Sequence, residues 1–147
     1  MPQVVSLHAG EGSSLPKAAI PQAVLVTGKG VEGDRHFGRH PDRAVLVVGL
    51  SAYQLAAQSG IALPWGALGE NILLDLDPHG LPEAARVEIG TALLELTTVC
   101  TVCDSLSVFD LRLPKVLYGR RGLYARVVRG GLVRPGDPAR VLAPQAT

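Results

Sequence analysis

The chain has 147 residues, of which 14 are basic and 13 acidic, so its formal net charge at pH 7 is +1. This length suits a domain with a buried core, and the near-neutral charge gives no general reason to expect nucleic-acid binding. Hydrophobic residues make up 47% of the sequence, which favours a folded chain, but no apolar run is long enough to span a membrane. We therefore predict one cytoplasmic domain over residues 1–147, with its core from about 3 to 142 and a loose C-terminal tail.

Eight short segments rich in valine, leucine and isoleucine, each bounded by turn residues, predict β-strands. In chain order they are residues 4–8, 23–27, 44–48, 72–76, 86–89, 92–98, 123–128 and 139–142. Gly90 and Thr91 join the fifth and sixth segments as a predicted hairpin, and a connection rich in glycine and proline links the last two in a similar way. Many short strands with few helices predict a mainly β protein folded as a closed or nearly closed β-barrel.

Two helices are predicted beside these strands. Ser51 is a suitable N-cap for the first helix, which is expected to stop at Gly60. The second is expected to begin near Asp104, because apolar residues follow at helical spacing as far as Leu113. Pro114 should then end or kink this helix, since proline lacks the backbone N–H that a helix interior needs.

The chain has two cysteines, Cys100 and Cys103, which follow a strand-like run. A single C-x-x-C supplies half of the usual four-ligand zinc site, and a thioredoxin-type dithiol needs a βαβ setting that the strand pattern does not provide. Cys103 directly precedes the predicted second helix, whose first N–H groups would lower a thiol pKa from its usual value of about 8.5. We expect Cys103 to be the more nucleophilic thiol and Cys100 the more buried one; the alternative is that both fill the core.

A polar loop over residues 30–40 separates two apolar strands and contains Asp34, Arg35, His36, Arg39 and His40. Arginine side chains match phosphate and carboxylate in geometry, so one interpretation is an anion-binding loop. The alternative is a solvated turn in which Asp34 pairs with Arg35. Metal binding by the two histidines would need a helix here, and the glycine and proline in this stretch argue against one.

Two further segments carry polar side chains beside strands. Glu70 and Asn71 precede the fourth predicted strand, where they either orient a polar ligand or bond the backbone of the loop. Arg120 and Arg121 precede the seventh predicted strand and are suitably placed to reach an anion.

In this order the segments resemble the MOSC domain, the module named after the C-terminal part of molybdenum-cofactor sulfurase. The matching pieces are residues 30–36 (Gly-Val-Glu-Gly-Asp-Arg-His), 69–71 (Gly-Glu-Asn), 93–97 leading to Cys103, 122–127 (Gly-Leu-Tyr-Ala-Arg-Val) and 136–137 (Gly-Asp). The resemblance implies a β-barrel, in agreement with the strand pattern. It also implies a function built around one cysteine, here Cys103, which either carries sulfur as a persulfide or ligates molybdenum.

The resemblance also implies residues that bind a molybdopterin cofactor. Asn71 matches an asparagine that contacts the pterin, and Thr101 matches a small hydroxyl residue two positions before the cysteine. Arg35, His36 and Arg121 complete the set that we predict to bind the cofactor.

This chain departs from the family pattern at two places. Relatives that bind the cofactor often have an arginine where this chain has Gly69, and often have a proline or arginine where it has Val102. The additional Cys100 suggests thiol chemistry within the pair.

Three functional hypotheses follow. In the first, Cys103 accepts sulfane sulfur from a pyridoxal-phosphate-dependent cysteine desulfurase and passes it to a small-molecule or metal–sulfur acceptor. In the second, the chain is a molybdenum-cofactor oxidoreductase that reduces N-hydroxylated compounds, with Cys103 as the molybdenum ligand and Asn71 and Arg35 holding the pterin phosphate. In the third, it is a non-catalytic binding module. We favour the first, and no membrane or nucleic-acid partner is expected.

Overall fold

Short strands account for most of the regular structure in the computed structural model, which describes residues 2–101 and 104–143. Within those residues the strands are β1 Val4–Leu7, β2 Ala23–Val26, β3 Gly30–Val31, β4 Val45–Gly49, β5 Ile72–Leu74, β6 Arg86–Ile89, β7 Ala92–Val99, β8 Leu123–Arg129, β9 Gly131–Val133 and β10 Ala139–Val141. Two α-helices, α1 Leu50–Gln58 and α2 Leu113–Val116, and three 3-10 helices, Pro41–Arg43, Pro78–Gly80 and Asp104–Val108, lie between them.

The larger sheet curls until its two edges meet. Its strand order is β1-β5-β4-β8-β7-β6-β10, and all neighbours are antiparallel except β4 and β5. The edges approach where the Val4 N–H donates to the Asp137 carbonyl at 2.9 Å and the Gly136 N–H donates to the Val4 carbonyl at 2.8 Å. A smaller sheet of order β3-β2-β9 lies beside it. The mainly β fold and the nearly closed barrel predicted from the sequence are therefore confirmed.

Two apolar cores share the central strands. In β4, Val45 and Val47 belong to the core inside the barrel, whereas Leu46 and Val48 belong to a second core beneath the helices. The side chains of a strand alternate between its faces, so one strand contributes to both cores. The almost unbroken apolar sequence of β4 is explained by this burial on both faces.

All eight predicted strands are present, with ends that differ by at most two residues from those expected. The hairpin of β6 and β7 is confirmed, with Ile89 opposite Ala92. The similar connection expected between the last two predicted strands is not a hairpin, because β10 pairs with β6 and the intervening residues form β9, which pairs with β2. The strands β3 and β9, which are only two and three residues long, were not predicted.

The first helix was predicted well and the second was not. α1 ends just before Gly60, but its N-cap is Gly49 rather than Ser51. In place of one helix from Asp104, a 3-10 helix is followed by turns, and α2 begins only at Leu113. Pro114 therefore lies in the first turn of a helix instead of ending one, a position where its missing N–H removes no helical hydrogen bond.

Candidate functional site

A cavity of about 370 Å³ brings together segments that are far apart in the sequence. Arg35 and His36 reach it from the loop after β3, Thr101 from the end of β7, and Arg121 from the residue pair before β8. These are four of the five residues predicted to bind a cofactor. Lys17, Tyr124 and the serines of two loops complete the polar lining, and the volume falls in the range of small-molecule sites.

A buried ion pair fixes one wall of this cavity. Lys17 Nζ lies 3.0 Å from Asp34 Oδ1, and the two residues are only 7% and 5% exposed. Asp34 also accepts hydrogen bonds from the backbone N–H groups of Gly10 and His36, each at 3.2 Å, and its Oδ2 lies 3.3 Å from His36 Nδ1. Burial by itself raises the pKa of the Asp34 carboxyl, but the bonds from His36 and the Lys17 ammonium hold that pKa well below its ordinary value.

This ion pair changes the interpretation of the loop. The alternative that Asp34 pairs with Arg35 is wrong, because its partners are Lys17 and His36. Among the described residues, the Arg35 guanidinium has no hydrogen bond or ion pair, and the side chain lines the cavity. Arg35 is therefore suited to bind an anion there.

Backbone carbonyls hold Arg121 in the opposite wall. Its Nε and Nη2 donate to the Leu68 carbonyl at 2.9 and 2.7 Å, and its Nη1 lies 3.4 Å from the Thr101 carbonyl. The residue is 7% exposed. A side chain at Gly69 would crowd this arrangement, because a Cβ there would stand 3.2 Å from Arg121 Nη2. The glycine that departs from the family pattern thus leaves room for the buried arginine.

Asn71, the fifth predicted residue, lies behind the cavity wall. Its Oδ1 accepts a hydrogen bond from the Leu46 N–H at 3.0 Å, and its Nδ2 donates to the His8 carbonyl at 3.1 Å. The side chain is buried and is not part of the cavity lining. In this structure Asn71 joins β4 to the segment that follows β1, and its contact with a pterin stays a prediction.

The neighbouring Glu70 is also buried, and its carboxylate bonds groups near its own loop. Its Oε2 accepts from the Tyr53 hydroxyl at 2.6 Å and lies 3.3 Å from the Gly66 backbone nitrogen. Burial first, and then the Glu70 carboxylate, raise the pKa of the Tyr53 hydroxyl far above its ordinary value. The interpretation of Glu70 as a residue that bonds its own loop therefore agrees with these contacts.

Of the two cysteines, Cys100 lies within the described residues. Cys100 is buried at 2% exposure in the second core, where its Sγ lies 3.6 Å from the Thr101 carbonyl. Burial and the Cys100 thiol together raise the pKa of Tyr124 to about 12. Cys103 lies outside the described residues, so its role stays a prediction. Thr101 and Ser105, on either side of it in the sequence, both line the cavity.

The helix-start argument for an activated thiol no longer applies. The segment that follows Cys103 is a 3-10 helix of five residues and not the start of an α-helix, so it offers no helix macrodipole. Among the cavity residues, Lys17 was not predicted, because its local sequence carries no motif and its partner Asp34 lies in a different loop.

The described residues contain no group of three or more histidine, cysteine, aspartate or glutamate side chains positioned to hold a metal ion. Nor is any of their helices long and apolar enough to cross a membrane.

Comparison with known proteins gives a family and a set of similar folds. The family model of the MOSC domain matches residues 32–140. YuaD from Bacillus subtilis is 22% identical, with a TM-score of 0.80 over 99% of this chain and 98% of that one. YiiM from Geobacillus stearothermophilus is 21% identical (TM-score 0.78, 97% of this chain and 76% of that one), and YiiM from Escherichia coli is 22% identical (0.75, 100% and 72%). None of the curated proteins matches the chain.

Proposed function

The chain belongs to the MOSC domain family, which is associated with molybdenum-cofactor sulfurase, and on this basis we propose that it is a sulfur carrier in which Cys103 holds a persulfide. The observation that supports the proposal is the cationic cavity. Residues on both sides of Cys103 in the sequence line it, and Arg35 and Arg121 bring cationic side chains to it beside the Lys17–Asp34 ion pair. Nearby cations lower a thiol pKa, and the thiolate is the form that attacks sulfur.

The transfer needs no redox co-reactant. The Cys103 thiolate attacks the terminal sulfur of a persulfide on a donor such as a cysteine desulfurase. One S–S bond breaks as another forms, the donor leaves as a thiolate, and Cys103 becomes a persulfide. The cavity cations then stabilise the anionic persulfide and hold an anionic acceptor beside it.

Loading with sulfur tests this proposal. The wild type, Cys103→Ala and Cys100→Ala are incubated with a cysteine desulfurase and L-cysteine, and their intact masses are measured. We expect one added sulfur on the wild type and on Cys100→Ala, and none on Cys103→Ala, because only Cys103 is proposed to carry the persulfide. Cys100→Ala is the matched control, since it removes the buried thiol. Equal loading of Cys103→Ala would refute the proposal.

A second candidate is a molybdenum-cofactor reductase, favoured by the match between the cavity and a phosphate group. Lys17, Arg35 and Arg121 would hold the cofactor phosphate, whereas both ends of the Asn71 amide are bonded to backbone. The residues thus fit the anionic end of the cofactor. When bound, the cofactor would supply the redox-active metal, with Cys103 as its predicted ligand.

Metal and pterin analysis tests this candidate. The wild type and Arg35→Gln are purified from a host that makes the cofactor. If the cofactor is bound, we expect molybdenum and pterin in equal amounts in the wild type and at least a severalfold lower content in the variant, which lacks one cation for the phosphate. Molybdenum absent from the wild type would exclude this candidate and leave the sulfur carrier.

A further inference from the structure

A second, smaller cavity of about 190 Å³ adjoins the first. It is lined by His36, Arg39, His40, Arg43 and Tyr124. Two of these residues, His36 and Tyr124, also line the first cavity, so the two cavities share a wall. The cationic surface therefore continues past the residues that the MOSC resemblance marks.

Backbone bonds hold the segment that carries these arginines in place. The Gly38 N–H donates to the Lys29 carbonyl at 2.9 Å, and the Arg43 N–H donates to the His40 carbonyl at 3.0 Å, at the 3-10 helix Pro41–Arg43. The Thr97 hydroxyl on β7 donates to the Asp42 carbonyl. The arginine side chains thus project from an ordered backbone, which lowers the entropic cost of binding a ligand.

The positive charge of this segment is not neutralised within the described residues. Asp42 is the single acidic residue between Arg35 and Arg43, and its carboxylate lies 3.4 Å from Arg126 on β8. Within the described part of the chain, the guanidinium groups of Arg39 and Arg43 have no hydrogen bond or ion pair. Gathering unpaired like charges is unfavourable, and a bound anion would relieve the repulsion.

Both cavities are cationic. The first is lined by Lys17, which is paired with Asp34, and by Arg35, whose guanidinium has no ion pair among the described residues. The second is lined by Arg39 and Arg43, whose guanidinium groups likewise have none there. A phosphate monoester carries about −1.5 to −2 at neutral pH, so each cavity suits one such group.

We infer that the two cavities form one site for a ligand with two phosphate-type groups, one on each side of His36 and Tyr124. Such a ligand is a diphosphate or a phosphate ester with a second anionic arm. The inference depends on the proposed function in one respect: it takes this ligand to be the acceptor of the sulfur that Cys103 carries. The arginines would form forked hydrogen bonds with the second group.

Titration calorimetry with inorganic phosphate, pyrophosphate and tripolyphosphate tests the inference. We expect the wild type to bind the longest of these at least about tenfold more tightly than phosphate, because two groups are held by charged hydrogen bonds. The double variant Arg39→Gln/Arg43→Gln should lose that advantage and keep its affinity for phosphate. Arg35→Gln should weaken the binding of all three.

The control is Arg129→Gln/Arg134→Gln, which removes two exposed arginines outside both cavities. It should leave the phosphate series unchanged. An advantage of tripolyphosphate that survives in Arg39→Gln/Arg43→Gln, or that is lost equally in the control, would overturn the inference. Persulfide loading plays no part in the titration, so a chain that binds none of the phosphates overturns this inference and leaves the sulfur-carrier proposal to its own test.

Discussion

Asp34 is the residue on which the geometry of the site most depends. Its carboxylate neutralises the buried Lys17 ammonium and accepts hydrogen bonds from the backbone of two loops. It thereby joins the residues after β1 to the loop after β3, and it leaves Arg35 available for a ligand. Asp34 and Arg35 are adjacent in the sequence and looked like an ion pair, but the Asp34 carboxylate instead connects two loops.

Removing the Asp34 charge should therefore destabilise the fold. Asp34→Asn leaves the Lys17 ammonium buried without a counter-charge, and we expect a loss of about 3–5 kcal/mol in the free energy of unfolding. Denaturant unfolding at pH 7 measures it. The control is Asp110→Asn, which breaks an exposed pair with Arg112 and should have a much smaller effect. Equal effects of the two variants would contradict the importance given to the buried pair.

The same carboxylate should make stability depend on pH. Because the pKa of Asp34 is lower in the folded state than its ordinary value of 3.8, the unfolded chain binds the proton more readily. The contribution of Asp34 is thus complete above that ordinary value and is lost as the pH falls below it. In the same unfolding measurements, the wild type should lose more stability than Asp34→Asn between pH 5 and pH 3.

Gly69 offers a second prediction at the scale of one residue. Its φ is +79°, and a Cβ there would stand 3.2 Å from Arg121 Nη2. Gly69→Ala should lower the free energy of unfolding by about 1–2 kcal/mol through backbone strain and should also weaken phosphate binding by displacing the arginine. Unfolding and titration calorimetry measure the two effects separately.

Gly60 provides the matched control, because its φ is also +79° and nothing lies within 4 Å of the site of its Cβ. Gly60→Ala should show the strain and no change in phosphate binding. If Gly69→Ala binds phosphate as tightly as Gly60→Ala does, the contact with Arg121 has no part in holding the anion.

At the scale of elements, the strands could be predicted and the second helix could not. Short apolar segments between turn residues carry their signal locally, and β4 and β7 lie where that signal puts them. The segment after Cys103 has helical spacing of apolar residues, but Pro114 is compatible with either the end or the first turn of a helix. The hydrogen bonds of the turns between Phe109 and Leu113 decide between them, and those bonds are not visible in the spacing.

Some residues of the candidate site could also be predicted from the sequence, and others could not. Arg35, His36, Thr101 and Arg121 were predicted from sequence motifs, Thr101 through the MOSC resemblance alone, and line one cavity. Lys17 could not be predicted, because its place depends on packing between two loops that only the folded chain brings together. Asn71 is conspicuous in the sequence, yet its amide bonds backbone groups of two other segments, which no local pattern reveals.

For the whole molecule, net charge is a poor guide to local charge. The formal charge of the chain is only +1, yet Arg35, Arg39 and Arg43, which have no ion pair among the described residues, line two adjoining cavities. The fold makes this concentration possible, because the loop after β3 lines the same cavity as residues that follow β7 and precede β8. A focused positive field of this kind attracts small anions even when the protein as a whole is nearly neutral.

The main proposal is that Cys103 carries sulfur, and its sequence neighbours Thr101 and Ser105 line the cationic cavity. Mass spectrometry of peptides from the sulfur-loaded wild type, alkylated before digestion, tests it most directly because it assigns the sulfur to one of the two cysteines. We expect one extra sulfur atom on Cys103 and none on the buried Cys100. Extra sulfur on Cys100 alone, or on neither cysteine, would contradict the claim.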